Sequence, residues 1–161
     1  MRTSLKRLPP SHSRTQRGNA VLETVLIILP MCALGFALLD YSLAIFVQNV
    51  LRNAVREGSR FAVTQQTSAG GQDAAIKAVV QSKALGFLGN VSTISVTDYD
   101  KTTLLAVTGN GSNAEGNICV VAVTAFPWTA IAPLWRATSY SFNAASSDVF
   151  EAPPNGILPS R

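Results

Sequence analysis

Histidine is almost missing from this chain: the one imidazole in 161 residues is His12, close to the N-terminus. There are only two cysteines, and no nucleotide-binding glycine loop, zinc-type spacing or Cys/His pair stands anywhere. A Ser-His-Asp relay would have to draw on His12 alone. Charge is scarce as well, 14% of residues against about 25% in an ordinary soluble domain. The hydrophobic fraction is 47%, which excludes a disordered chain and points to a membrane segment. Asp98, Asp100, Asp148 and Glu151 show no paired spacing and read as solvated loop acids. No enzyme activity, cofactor, metal or small-molecule substrate is therefore expected.

The formal charge of +4 raises nucleic acid as a partner, and its distribution removes it. Five of the 13 bases, Arg2, Lys6, Arg7, Arg14 and Arg17, lie in the first 18 residues, which hold no acid. The remainder has 8 bases against 9 acids, whereas a nucleic-acid module keeps its basic patch on the folded part. The basic tail with Pro9-Pro10 reads instead as a targeting segment.

From Ala20 to Leu39, 16 of 20 residues are apolar, interrupted only by Glu23, Thr24, Pro30 and Gly35. At about 1.5 Å per residue the run covers roughly 30 Å, the thickness of a hydrocarbon core. Its eleven Leu, Ile, Val and Phe residues favour insertion by roughly 3 to 7 kcal/mol, more than one acid near an end opposes it. Basic residues before the span and a near-neutral chain after it predict a single pass with the N-terminus in the cytoplasm. Asp40 beside Tyr41 marks the outer interface. Cys32 falls inside the span and Cys119 far downstream, so the two are expected to be separate small hydrophobes without a disulfide.

Beyond the span, Val47, Val50, Leu51, Ala54, Val55, Gly58, Phe61 and Ala62 recur at steps of three and four. Gln48, Asn49, Arg52, Asn53, Arg56 and Arg60 fill the opposite side, which predicts an amphipathic stem to about Thr64. A short second helix is expected with Asp73 as N-cap, Ile76, Val79, Val80 and Ala84 on one face, and Gly86 and Gly89 after its end. Four strands follow, around Ile94 and Val96, Leu105 and Val107, Ile118 to Phe126, and Tyr140 and Phe142. Residues Gly109 to Asn117, with an Asn-Gly step, read as a hairpin loop. The third strand is apolar on both faces and is predicted to be central; the fourth sets Tyr140, Phe142 and Ala144 against Ser139, Ser141 and Asn143. Phe126 to Trp135 reads as a loop capping the core. The fold class is α+β: a long N-terminal helix, a short second helix and a four-stranded antiparallel sheet packed on the stem.

Where the basic tail meets the span, the chain reads Gly18-Asn19-Ala20-Val21-Leu22-Glu23. Glycine gives a peptidase close access to the backbone, and an acid inside a span needs a partner. A cut after Gly18 supplies one, an α-amine on Asn19 that is positive below about pH 7.7 to 8, at the depth of a neighbouring chain's Glu23.

In these residues the chain resembles the type IV pilins and pseudopilins, whose prepilin peptidases cut after Gly when Glu stands fifth beyond the cut. The resemblance implies a cytoplasmic leader over residues 1–18, a transmembrane helix over 19–47 and a stem and exported head over 48–161. It implies Gly18 and Asn19 as the cleavage site and Glu23 as the assembly residue. The stem is similar to the TadE family over Asp40-Tyr41-Ser42 and Leu51-Arg52-Asn53-Ala54-Val55-Arg56-Glu57-Gly58-Ser59-Arg60-Phe61-Ala62-Val63. The stretch Val121 to Phe126 with Pro127 and Pro133 is similar to that family's closing strands. The chain departs from the family in Thr24, where an aromatic is usual, and in a shorter alanine run. Members are minor pilins or pseudopilins of the tight-adherence (Flp) pilus. The implied partners are a prepilin peptidase, other pilins, the assembly platform and membrane lipid, at the inner membrane; an uncleaved, signal-anchored periplasmic scaffold is the alternative.

Arg52, Arg56 and Arg60 share one face at steps of four, where like charges repel by a few tenths of a kcal/mol unless paired. They read either as a solvated face or as a stripe that binds carboxylates of the head or of a neighbouring subunit. Trp128 and Trp135 are candidates for partner contact, since exposed aromatics favour interfaces.

Overall fold

A computed structural model describes residues 15–89, 94–130 and 139–161. The elements are α1 (Thr15–Val63), α2 (Gln72–Lys83), β1 (Ile94–Tyr99), β2 (Ala106–Val107), β3 (Ile118–Thr129) and β4 (Ser139–Val149). The class is α+β, as the periodicity predicts. The chain divides into two units, one ending at Leu39 and one running from Asp40 to Arg161.

In the first unit α1 leaves its apolar side chains outside. Val21, Leu22, Val25, Leu26, Ile27, Ile28 and Leu29 are all exposed, and consecutive residues at about 100° steps put them on every side of the helix. No one-sided core can take such a surface, so its solvent is lipid. Pro30 lies inside the helix without ending it, as membrane helices tolerate. Among the described residues α1 is the one helix long and apolar enough to cross a membrane, and it is a single-pass anchor.

In the second unit the same helix is sorted into faces. Val47, Val50, Leu51, Ala54, Val55, Gly58 and Ala62 are buried, while Asn49, Arg52, Asn53, Arg56 and Arg60 are exposed. The buried face joins Ile76 and Val80 of α2, Cys119, Val121 and Val123 of β3, and Ala144 beyond them in one core. Leu51, wholly buried, is worth about 1.5 to 3 kcal/mol of transfer free energy there. At Gly58 α1 comes close to α2. A Cβ at that position would run into Val80 Cγ2 and stand 3.4 Å from Val121 Cγ1. Ser59, buried beside it, is satisfied by Arg56 O at 3.0 Å and the Ser146 hydroxyl at 2.9 Å.

The sheet is antiparallel with order β2-β1-β3-β4, so β3 is internal as its composition predicts. That order overturns the hairpin expected at Gly109–Asn117. Because β2 pairs with β1 and not with β3, the segment crosses from one edge strand past β1 to the interior. The hairpin is instead the Asp100–Leu105 turn between β1 and β2. Asp100 Oδ1 accepts the backbone N–H of Thr102 at 2.9 Å and of Thr103 at 2.8 Å, and the Thr103 hydroxyl. Those bonds hold its carboxyl below the ordinary range, the Thr103 N–H contributing most. Leu105 is exposed and lies outside the two-residue β2.

Two further expectations change. The strand predicted to stop at Phe126 runs on to Thr129 after a bulge between Val123 and Phe126, with Pro127 paired to Ser141 and Trp128 to Tyr140. The expected capping loop is thus strand from Phe126 to Thr129. β1 pairs with β3 only as far as Ile94↔Val123, so among the described residues the extension is paired on one side, where a proline lacking its N–H is tolerated. Tyr140, expected to face the core, is exposed, whereas Ala144 is buried and Phe142 packs against the core.

Asp73 does not cap α2 either. The N-cap is Gly71 at φ +89°, and no side chain bonds there. A backbone segment takes that role: Gln72 N–H donates to Ser160 O at 2.9 Å. A Cβ on Gly71 would press on the Arg161 carbonyl carbon at 3.0 Å, so both the left-handed conformation and the close approach require glycine.

Candidate functional site

Gly18, Asn19 and Glu23 all lie in α1, so the Gly18–Asn19 bond falls within a helix. Asn19 and Glu23 are one turn apart, an i, i+4 pair separated by about 6 Å along the axis. Both are exposed. Glu23 stands between exposed Leu22 and Val25, which makes it a carboxylate on an otherwise apolar surface. Thr24 hides its hydroxyl by donating to Ala20 O at 2.8 Å, leaving Glu23 as the charged group this stretch presents. Asp40 lies at the start of the second unit beside exposed Tyr41.

Arg52, Arg56 and Arg60 are exposed along α1, and among the described residues no carboxylate lies within ion-pair distance of them. Trp128 is half-buried in β3, its ring 6.2 Å from Phe142 and tilted by 30°; it packs against the core. Trp135, His12 and the rest of the tail at residues 1–14 lie outside the described residues. The site residues therefore fall in separate places, with Gly18, Asn19 and Glu23 near the start of α1, the arginines on the stem and Trp128 in the sheet.

The ion pairs that do form join Asp73 and Asp98 to Arg161, a residue the spacing does not single out. Arg161 reaches Asp98 through Nη2 and Asp73 Oδ1 through Nη1 at 2.7 Å. Asp98, expected to be a solvated loop acid, is 1% exposed in β1. Ser112 Oγ donates to Asp98 Oδ2 at 2.6 Å, and Arg161 Nε donates to Ser112 Oγ at 3.1 Å. Buried amides extend the network: Asn113 Nδ2 donates to Gln72 Oε1 at 2.6 Å and to Pro159 O at 2.9 Å, and Gln65 Nε2 to Asn113 O at 2.8 Å. Burial lowers the Arg161 pKa and Asp73 pulls it back up, and the guanidinium also sits 5.8 Å over the Phe150 ring. The one sequence signal was the run of amide and hydroxyl residues from Asn110 to Asn117, which reads equally well as solvated loop.

Both cysteines are free, Cys32 exposed and Cys119 buried. Burial first, and the charges of Asp73 and Asp148 after it, push the Cys119 thiol up to about 12. It is an inert core residue, not a nucleophile. Among the described residues no group of His, Cys, Asp or Glu is arranged to hold a metal.

The family described as TadE-like protein matches residues 18–60, from the glycine of the candidate cut through the last arginine of the stripe. No curated protein and no solved structure matches the chain.

Proposed function

From the premise of a TadE-like segment, and so of a protein of the tight-adherence (Flp) pilus system, we propose that the chain is a minor pilin or pseudopilin cut after Gly18 by a prepilin peptidase. The observation that carries this reading is Glu23, an exposed carboxylate at i+4 from Asn19 on a helix otherwise clothed in exposed apolar side chains. A carboxylate at that depth is costly in lipid, by about 2.5 to 3.5 kcal/mol at the centre of a span and less near its end. An ammonium group on Asn19 of an adjoining subunit offsets that cost, so the pair drives the helix from lipid into a bundle of like helices. Assembly is then a packing process with no bond made after the cut. The leader stays in the cytoplasm, the span in the inner membrane, and the head is exported, with other pilins and the assembly platform as its neighbours.

The mass of the protein extracted from cell membranes tests the cut: loss of residues 1–18, with or without methylation of Asn19, is expected. An intact leader on functional protein would leave the uncleaved periplasmic scaffold as the reading. Glu23→Ala should leave the melting of the head unchanged while abolishing incorporation into pili; normal piliation in that variant contradicts the pairing.

A further inference from the structure

The stem and the far end of the sheet carry opposite charges at different heights in the same unit. We propose that the stripe Arg52, Arg56 and Arg60 of one chain docks on the acidic sheet end Glu115, Asp148 and Glu151 of a second copy. This deepens the pilin reading and rests on it for parallel copies. The stripe is exposed and extends about 12 Å over eight residues of helix. Like charges at that spacing repel, and half-buried Glu57 on the same helix can offset only one of the three.

The complementary surface is assembled by the end of the β3–β4 ladder. Gly116 N–H donates to Phe150 O and Phe150 N–H to Asn117 O, each at 2.9 Å. These bonds bring Glu115 beside Glu151, while Asp148 stands opposite Cys119. All three acids are exposed. Three residues of extended chain separate Asp148 from Glu151 by about 10 Å along the line of the edge strand β4 and set them on its opposite faces. Two cations lie near this end, Lys101 with its Nζ 3.4 Å from the Glu115 carbonyl and Arg161 over the Phe150 ring, which Asp73 and Asp98 already pair, so the three carboxylates outnumber the unpaired positive charge.

Height decides that the contact is between copies. Gln65 Nε2 donates to Glu151 O at 3.2 Å, which sets the acidic end level with a residue just beyond α1. The arginines lie five to thirteen residues earlier, roughly 8 to 20 Å lower along the helix. A parallel neighbour displaced along the axis by such a step brings its arginines opposite these acids. Each copy then offers the stripe at one height and the acids at another. A heterologous contact of that kind repeats without closing, which generates a filament and not a ring.

The test uses the full chain in detergent, with two variants: Arg56→Glu with Arg60→Glu, and Asp148→Arg with Glu151→Arg. Each alone should form about tenfold less oligomer than the native chain at low salt, and an equal mixture should regain it, because only mixed pairs meet opposite charge. The native oligomer should weaken as salt rises from 0.01 M, where screening reaches about 30 Å, to 1 M, where it reaches about 3 Å. Sedimentation reads the oligomer, and melting of each variant verifies the fold; Arg56→Gln with Arg60→Gln, which adds no charge, should show an intermediate loss. Unchanged association in both variants, no regain in the mixture, or a native chain that stays monomeric overturns the proposal. An intact leader or a tolerated Glu23→Ala strikes the pilin reading separately.

Discussion

Residues 19–39 and 47–62 belong to one helix and treat their apolar side chains in opposite ways. The first stretch exposes them all round, Leu26 at 78%, whereas the second buries one face, Leu51 at 0%. Hydrophobicity without period has no preferred side and fits a solvent that is apolar in every direction. Hydrophobicity with a three-and-four period fits a protein core on one side and water on the other. The same division separates the charged groups. Arg52, Arg56 and Arg60 stay outside the stem, while Arg161, with no helical period to place it, is drawn into the core by two carboxylates.

The contrast between buried and exposed arginine can be broken hardest at Arg161. Arg161→Ala leaves Asp98 buried without its counterion and should cost the head about 3 to 5 kcal/mol, read by denaturant unfolding of the detergent-solubilised full chain. Arg56→Gln should change the same reading by less than about 0.5 kcal/mol. Next in size is the contrast between the two stretches of α1. Leu51→Ala should destabilise the head by about 2 to 4 kcal/mol through the cavity it opens, whereas Leu26→Ala should leave head unfolding unchanged. Equal effects of the two would erase the division drawn at Asp40.

The smallest effect concerns the cysteines. Because the folded thiol of Cys119 titrates well above its unfolded value of about 9, the native state holds that proton more tightly. Its contribution to stability is complete below about pH 9 and declines as pH rises toward 12. Urea midpoints across that range should fall less in Cys119→Ala than in the native chain. Alkylating reagents should leave Cys119 unmodified until the head is unfolded.

Much of the architecture is legible in the amino-acid order. The span, the buried face of the stem, the α+β class and the interior position of β3 follow from period and composition, because each depends on residues close together in the chain. The head's polar interior was not legible. Asp98 read as a loop acid because nothing near it in sequence is basic enough to compensate its burial, apart from Lys101, which turns to Glu115. Asp73 read as an N-cap because the usual cap residue stood at the usual place, and a carbonyl from Ser160 took the role instead. Trp128 read as loop because two prolines flank its segment, yet a strand paired on one side accommodates Pro127. At the start of α1, the one-turn relation of Asn19 to Glu23 is fixed by spacing alone.

The amino-acid order alone therefore determined which part of the chain meets lipid, where the helix turns one face to a core, and that the acid at Glu23 stands one turn from Asn19. These are properties of period and local composition, which any helix of this sequence must display. Tertiary structure alone decided that Asp98 and Arg161 meet in the interior, that Ser112, Asn113 and Asn117 of a loop are buried, and that Glu115, Asp148 and Glu151 gather at one end of a sheet. Such meetings depend on strand order and chain closure between residues far apart in sequence, and no local pattern encodes which distant partner will cancel a buried charge.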